Sequence, residues 1–184
     1  MLSVYWNEYQ LVKKKKYLVY FVGNMSPPHK GHLSLIEPYF NQKHVKILIH
    51  LAGNEKKHNI SLQTTKEILS IYLKNVSNVT VEKFDPHFLN IYNCKKIDFL
   101  LFVRGNENLY STIKTDYLET FSGLIKNLRK KGIISLALVR ERIPKISSTE
   151  MCMHVYDEDL LDFLPEKLTD EEKDKIKNIL RNIN

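Results

Sequence analysis

The chain has 184 residues, of which 43% are apolar and 27% charged, a size and composition that fit one globular domain. Its two cysteines, Cys94 and Cys152, lie far apart, and its apolar runs are too short for a bilayer. These features argue against a disulfide-rich or membrane-spanning protein and favour the cytoplasm. The net charge of +7 suits small anionic ligands, but solvated lysines account for most of it, so a nucleic-acid partner is not expected.

The predicted secondary structure alternates between strands and helices. Residues 1–15 have no clear periodicity and are predicted to form an N-terminal extension before a single domain over residues 16–184. The predicted strands cover residues 17–22, 45–51, 79–83, 99–103 and 133–139. The predicted helices cover 31–39, 61–74, 86–93 and 116–131, and two more begin near Ser148 and Thr169. Pro38 is expected to shorten or bend the first of them. This order predicts an α/β fold: a Rossmann-like, doubly wound parallel sheet of five strands with helices on both faces.

The first motif joins the end of the first strand to a helix, with the sequence Gly-Asn-Met-Ser-Pro-Pro-His-Lys-Gly-His over residues 23–32. Gly23 permits close approach of a phosphate to the backbone, and a helix N-terminus favours negative charge. His29 and His32 flank Gly31 and supply donors where charge grows on a transferring phosphate. The turn therefore predicts nucleotide chemistry. No third or fourth ligand stands in register for zinc, so no protein metal site is expected.

The second motif is Ile-Ser-Ser-Thr at residues 146–149, which follows the fifth strand and opens a helix. Consecutive hydroxyls at such a position cap the helix and can also donate to a β- or γ-phosphate. Ligands of open parallel sheets bind beyond the carboxyl ends of the strands. Both motifs are predicted to lie at that edge, and so is Arg104-Gly105, which follows the fourth strand.

Together these motifs resemble the nucleotidyltransferase superfamily, whose signature is a His-x-Gly-His or Thr-x-Gly-His turn with a distant Ile-Ser-Ser-Thr. Within it, the chain is most similar to pantetheine-phosphate adenylyltransferases. The similarity spans residues 17–179, although 106–131 match poorly. The further matches are Lys56-Lys57, Ser61-Leu62, Arg104-Gly105 and Phe163-Leu164-Pro165-Glu166.

The resemblance implies that a phosphorylated acceptor, with 4′-phosphopantetheine as the first choice, attacks the α-phosphorus of ATP and releases pyrophosphate. Positioning and charge stabilisation then supply the catalysis. His32 would stabilise the α-phosphate, Lys56 would bind the acceptor phosphate and Arg104 would bridge the two substrates. Phe88 would contact the acceptor. The expected nucleotide-binding residues are Gly23, Asn24, Met25, His29, Gly31, Gly105, Ser147, Ser148 and Thr149.

The resemblance also implies Mg²⁺ carried on the nucleotide phosphates rather than in a protein site, and a homo-oligomer. Several positions depart from the adenylyltransferase pattern. His29 gives the turn the form found in nicotinamide-mononucleotide adenylyltransferases and cytidylyltransferases. Glu107 and Cys152 stand where basic residues are usual, and Asn24, Met25 and Ser26 replace Thr, Phe and Asp. The sister transferases therefore remain alternatives, as does a catalytically silent module that binds nucleotide or nucleic acid.

Overall fold

A computed structural model describes residues 15–52, 59–85, 97–105, 126 and 128–183. Its centre is a sheet of five parallel strands in the order β3-β2-β1-β4-β5. The strands are β1 (Tyr17–Gly23), β2 (Val45–Leu51), β3 (Val79–Lys83), β4 (Phe99–Gly105) and β5 (Ile134–Arg140). The predicted bounds of β2 and β3 are confirmed, β1 and β4 extend to the glycines that follow them, and β5 is shifted by one residue.

The sheet is covered on both faces, which explains why its strands are apolar without alternation. Tyr17, Val19 and Phe21 of β1 belong to a large cluster that includes residues of the helices described below. Leu18 and Tyr20 belong to a smaller cluster on the other face, which includes Leu128 from the helical residues 128–130. The predicted doubly wound α/β fold is thus confirmed.

The helix predicted over residues 31–39, with Pro38 expected to shorten or bend it, is indeed shortened, and further than its spacing predicts. Helix α1 covers only Lys30–Leu33, and a separate 3-10 helix covers Glu37–Tyr39. Pro38 explains the break, since proline lacks the N–H needed for an α-helical bond and disfavours α conformation in the residue before it. The short α1 brings His29 and His32 onto a single turn.

The remaining helices begin where the sequence predicts. Ser61 caps α2 (Leu62–Tyr72) by accepting a hydrogen bond from the Thr64 amide. Helix α3 spans Ser148–Met153, the 3-10 helix that follows spans Glu158–Phe163, and α4 spans Asp170–Arg181. The predicted helix over 86–93 lies outside the described residues, as does most of the helix over 116–131.

Helix α4 packs against α2. Thr169 and Glu172 form a reciprocal capping box at its N-terminus, and the Glu172 carboxylate also pairs with the Lys74 ammonium just beyond α2. Ile176 and Leu180 are buried beneath it. In the part of the chain that the structure describes, no helix has both the length and the apolar character to span a bilayer.

Candidate functional site

The strand order creates a crevice at the carboxyl ends of β1 and β4. The chain runs outward from β1 through β2 to β3, and then returns to place β4 on the other side of β1. At such a reversal the connections diverge, leaving a crevice beyond the strand ends. Gly23 ends β1, and Arg104 and Gly105 end the neighbouring β4. The sequence placed these residues at one edge, and the structure brings them together there.

The two histidines of the turn stack directly upon each other. Their ring centroids lie 3.8 Å apart with an angle of 30° between the planes, and both side chains are buried. The His29 amide donates to Nδ1 of His32 over 3.4 Å. A neutral His32 that accepts at Nδ1 carries its proton on Nε2, which is therefore a donor. Both ring nitrogens of His29 are buried without a hydrogen-bond partner.

Both imidazoles are held neutral. Burial, followed by the positive charge of Arg142, lowers the pKa of His29 from 6.5 to about 3. The pKa of His32 lies well below 6.5, mainly through burial and then through His29 and Arg142. An uncompensated buried polar group is costly unless a ligand satisfies it. One ring nitrogen of a neutral His29 carries an N–H, which an anionic ligand could satisfy by accepting a hydrogen bond from it.

The second motif packs against this turn. Ser148 Oγ donates a 2.8 Å hydrogen bond to the Pro27 carbonyl oxygen. A Cβ added to Gly31 would lie 2.7 Å from the Pro144 carbonyl oxygen, so only glycine permits this approach. Ser34 completes the contact, since its hydroxyl donates to the Gly31 carbonyl over 2.9 Å and accepts from the Ile143 amide over 3.1 Å. The two predicted motifs therefore form one structural unit.

The N-terminus of α3 is satisfied by its own side chains. Ser147 Oγ accepts from the Glu150 amide, and the Glu150 carboxylate accepts from the Ser147 amide over 2.7 Å. Hydrogen bonds from the Ser147 hydroxyl and then from the Ser147 amide hold the pKa of Glu150 below its usual range. The Ser147 hydroxyl thus accepts from the Glu150 amide and also donates to the Glu150 carboxylate. Thr149 lies half-buried on the first turn of α3.

The other predicted site residues divide into three groups. Arg104 and Gly105 are half-buried at the end of β4, and Asn24 is exposed beyond β1. Met25 is buried in the larger core cluster, so only its backbone is available to a ligand. Lys56 and Phe88 lie outside the described part of the chain, as does Glu107, where the sequence departs from the family pattern.

Arg142 is a site residue that the sequence analysis missed. It lies on the connection between β5 and α3, and its charge reaches His29, His32 and Glu150. Arg140, two residues earlier, instead lies over the ring of Tyr39, with its guanidinium carbon 5.8 Å from the ring centroid. The sequence does show two arginines near the end of β5, which could have indicated a cation at this edge. Only the fold shows that Arg142, and not Arg140, lies near the histidine turn.

The donors gathered here suit an anion better than a metal ion. They comprise two imidazoles and an arginine beside a glycine turn. Among the described residues, no cluster of three or more His, Cys, Asp or Glu side chains has the spacing to hold a metal. Gly23 adds room for a ligand, because a Cβ there would meet no atom closer than 3.9 Å.

Comparisons with known proteins agree with this geometry. The family model described as cytidylyltransferase-like matches residues 20–153, more than half of the chain and both motifs. No curated protein matches the chain in sequence.

Solved structures with a similar fold include a Vibrio parahaemolyticus protein described as a nicotinate-nucleotide adenylyltransferase. It has a TM-score of 0.59 and 17% identity, over 91% of this chain and 99% of the other. A second is the Plasmodium falciparum nicotinic acid mononucleotide adenylyltransferase in complex with APC, with a TM-score of 0.57 and 13% identity, over 89% and 98% of the two chains. At these identities the similarity establishes the fold alone.

Proposed function

Because the chain belongs to the cytidylyltransferase-like family of the nucleotidyltransferase superfamily, we propose that it is an adenylyltransferase. It would transfer AMP from ATP to a phosphorylated small-molecule acceptor and release pyrophosphate. Residues 16–184 would form its single catalytic domain, preceded by the extension over 1–15. The observation that supports this activity most directly is the position of the two neutral histidines, which lie on a turn that packs against the Ile-Ser-Ser-Thr segment.

In the proposed reaction, an oxygen of the acceptor phosphate attacks the α-phosphorus of ATP. A new P–O bond forms while the bond from the α-phosphorus to the bridging oxygen of the β-phosphate breaks. Nε2–H of His32 would donate to an α-phosphate oxygen as charge accumulates. Arg142 and Arg104 would offset the charge of the phosphates, and Ser147 and Thr149 would hold the departing pyrophosphate. Lys56 and Phe88 are proposed to contact the acceptor.

Two acceptors have specific support. The match to pantetheine-phosphate adenylyltransferases at Arg104-Gly105 and at residues 163–166 favours 4′-phosphopantetheine. The histidine at position 29 favours a pyridine mononucleotide, and the solved structures with a similar fold carry names of enzymes for that substrate. A direct competition between the two acceptors distinguishes them.

Magnesium is proposed to arrive on the nucleotide phosphates. It prefers carboxylate, carbonyl and water oxygens, whereas the described donors of the site are imidazoles, hydroxyls and guanidinium groups. The exception is Glu150, whose carboxylate is engaged by the Ser147 amide. The cytoplasmic location and the homo-oligomer expected from the sequence stay predictions.

The test is pyrophosphate release by the full chain, measured with ATP or CTP against 4′-phosphopantetheine, nicotinate mononucleotide, nicotinamide mononucleotide and a phospho-alcohol. We expect turnover with ATP and one of the first two acceptors. Turnover with CTP alone would contradict adenylyl transfer. ATP binding without turnover on any acceptor would support the silent module instead.

His32→Ala tests the role of the turn. Loss of a donor to developing negative charge costs about 100- to 1000-fold in kcat. His44→Asn is the matched control, because His44 is exposed on the loop before β2 and asparagine tolerates its φ of 68°. Full kcat in the His32 variant would rule out this histidine as a catalytic residue.

A further inference from the structure

The backbone of the histidine turn is fixed by two side-chain hydroxyls from different helices. Ser148 of α3 donates to the Pro27 carbonyl over 2.8 Å, and Tyr72 of α2 donates to the Pro28 carbonyl over 3.1 Å. These two carbonyls immediately precede His29. The prolines themselves have no N–H, so they add no backbone donors to hold the turn.

The direction of each bond limits what these hydroxyls can do. A carbonyl oxygen only accepts, so both hydroxyls must donate their single proton to the turn. While its bond stands, Ser148 has no proton left for a phosphate oxygen. The sequence assigned Ser148 to the nucleotide, whereas its contact here is with the protein backbone.

Tyr72 is suited to a permanent contact of this kind. Its side chain is buried, with 2% of its surface exposed. Burial raises the pKa of its hydroxyl, which therefore remains a proton donor throughout the working range of an enzyme. It approaches the turn from α2, on the β2 side of the sheet, whereas Ser148 approaches from α3, which follows β5.

We infer that Tyr72 and Ser148 are positioning residues that set the orientation of His29 and His32 by holding the Pro27 and Pro28 carbonyls. We call this pair of contacts the hydroxyl clamp. The inference rests on the proposed adenylyl transfer for its catalytic consequence. The clamp links α2, the turn and α3, so the donors of His32 and Arg142 converge on one phosphate only while both contacts hold. Misplacement of reacting groups by about 1 Å can cost 100-fold in rate.

Tyr72→Phe and Ser148→Ala remove the two hydroxyls one at a time, and Ser148→Thr retains the donor. We expect kcat to fall by about 10- to 100-fold in the first two variants while KM for ATP changes less than threefold. Ser148→Thr should recover most of the rate. Tyr20→Phe is the matched control, because it removes another buried hydroxyl, bonded to His50 on the opposite face of the sheet. A kcat within twofold of wild type in Tyr72→Phe or Ser148→Ala would overturn the inference.

A second measurement does not depend on turnover. In wild type, proton NMR of the histidine rings should place the pKa of His29 near 3. In Tyr72→Phe and Ser148→Ala it should rise towards 6.5, since a loosened turn lets water reach the ring; in Tyr20→Phe it should not move. An unchanged His29 pKa in both clamp variants would overturn the inference whatever the rate. If wild type shows no turnover, the proposed function fails, and the histidine titration still decides whether the clamp exists.

Discussion

The chemistry of the site depends on histidines that are uncharged before a ligand arrives. In a chain with a net charge of +7, a phosphate site built on cations would be the simpler solution. Here burial and the neighbouring Arg142 keep both imidazoles neutral. Neutral imidazoles donate without the desolvation cost of a buried cation, and a bound phosphate would raise their pKa by its own charge.

Stability should therefore fall on mild acidification. The pKa of His29 is about 3 in the folded protein and near 6.5 in the unfolded chain, so between these values the unfolded chain binds the extra proton. The free energy of unfolding is then highest above pH 6.5 and declines as the pH drops towards 3. We expect a loss of about 2 kcal/mol from His29 between pH 7 and pH 5, measured by urea unfolding.

Two variants, one as the test and one as its control, show whether this pH effect comes from His29. His29→Gln should show a smaller loss between pH 7 and pH 5 than wild type. His44→Asn should lose as much stability as wild type, because His44 is exposed and asparagine tolerates its φ of 68°. An identical pH slope in wild type and His29→Gln would show that His29 is protonated in the fold.

Arg142 should be required for nucleotide affinity. Arg142→Gln removes the cation beside the histidines, and one charge-assisted hydrogen bond contributes about 1.5–3 kcal/mol, roughly 10- to 100-fold in ATP affinity. Calorimetric titration with ATP measures the loss. Arg140→Gln serves as the control because Arg140 packs on Tyr39. Equal ATP affinity in Arg142→Gln and wild type would show that Arg142 does not bind the nucleotide.

Among the elements, the strands were predictable, whereas the extent of the first helix was not. The bounds of two strands, Val45–Leu51 and Val79–Lys83, were predicted correctly. Short β-branched runs between polar loops have few alternative structures. Residues 31–39 carry helical spacing, but Pro38 and the docking of Ile143 onto Ser34 divide them. That contact joins positions 109 residues apart, which periodicity cannot reveal.

The contact between α1 and the segment before α3 should be sensitive to a single methyl group. Gly31→Ala places a Cβ only 2.7 Å from the Pro144 carbonyl oxygen, so the backbone must shift. We expect a loss of about 1–3 kcal/mol in the free energy of unfolding, measured by urea denaturation.

Gly23→Ala provides the matched comparison at the other end of the same motif. The nearest atom to its added Cβ is 3.9 Å away, an ordinary contact. Its free energy of unfolding should stay at the wild-type value or rise slightly, because alanine reduces the entropy of the unfolded chain. Equal stability of the Gly23 and Gly31 variants would mean that the two segments do not meet as closely as described.

At the level of the whole molecule, the parallel sheet explains why the position of the site could be predicted from the sequence. Parallel strands place their carboxyl ends at one edge, so the turn after β1 and the segment after β5 were predictable neighbours. Side-chain contacts were not predictable in the same way. The packing of the loops above the sheet brings Arg142, rather than Arg140, close to His29. It also allows Ser148 to donate to the Pro27 carbonyl. Sequence patterns therefore predict which edge of the sheet carries the site, but the side chains that meet there are known only from the packing of the loops.

The central claim is that one triphosphate contacts both segments at once. Amide NMR of the full ¹⁵N-labelled chain, titrated with ATP, tests it most directly. The signals of Gly31 and Thr149 should shift together and fit a single dissociation constant. Shifts confined to one of the two segments, or two different dissociation constants, would contradict the account.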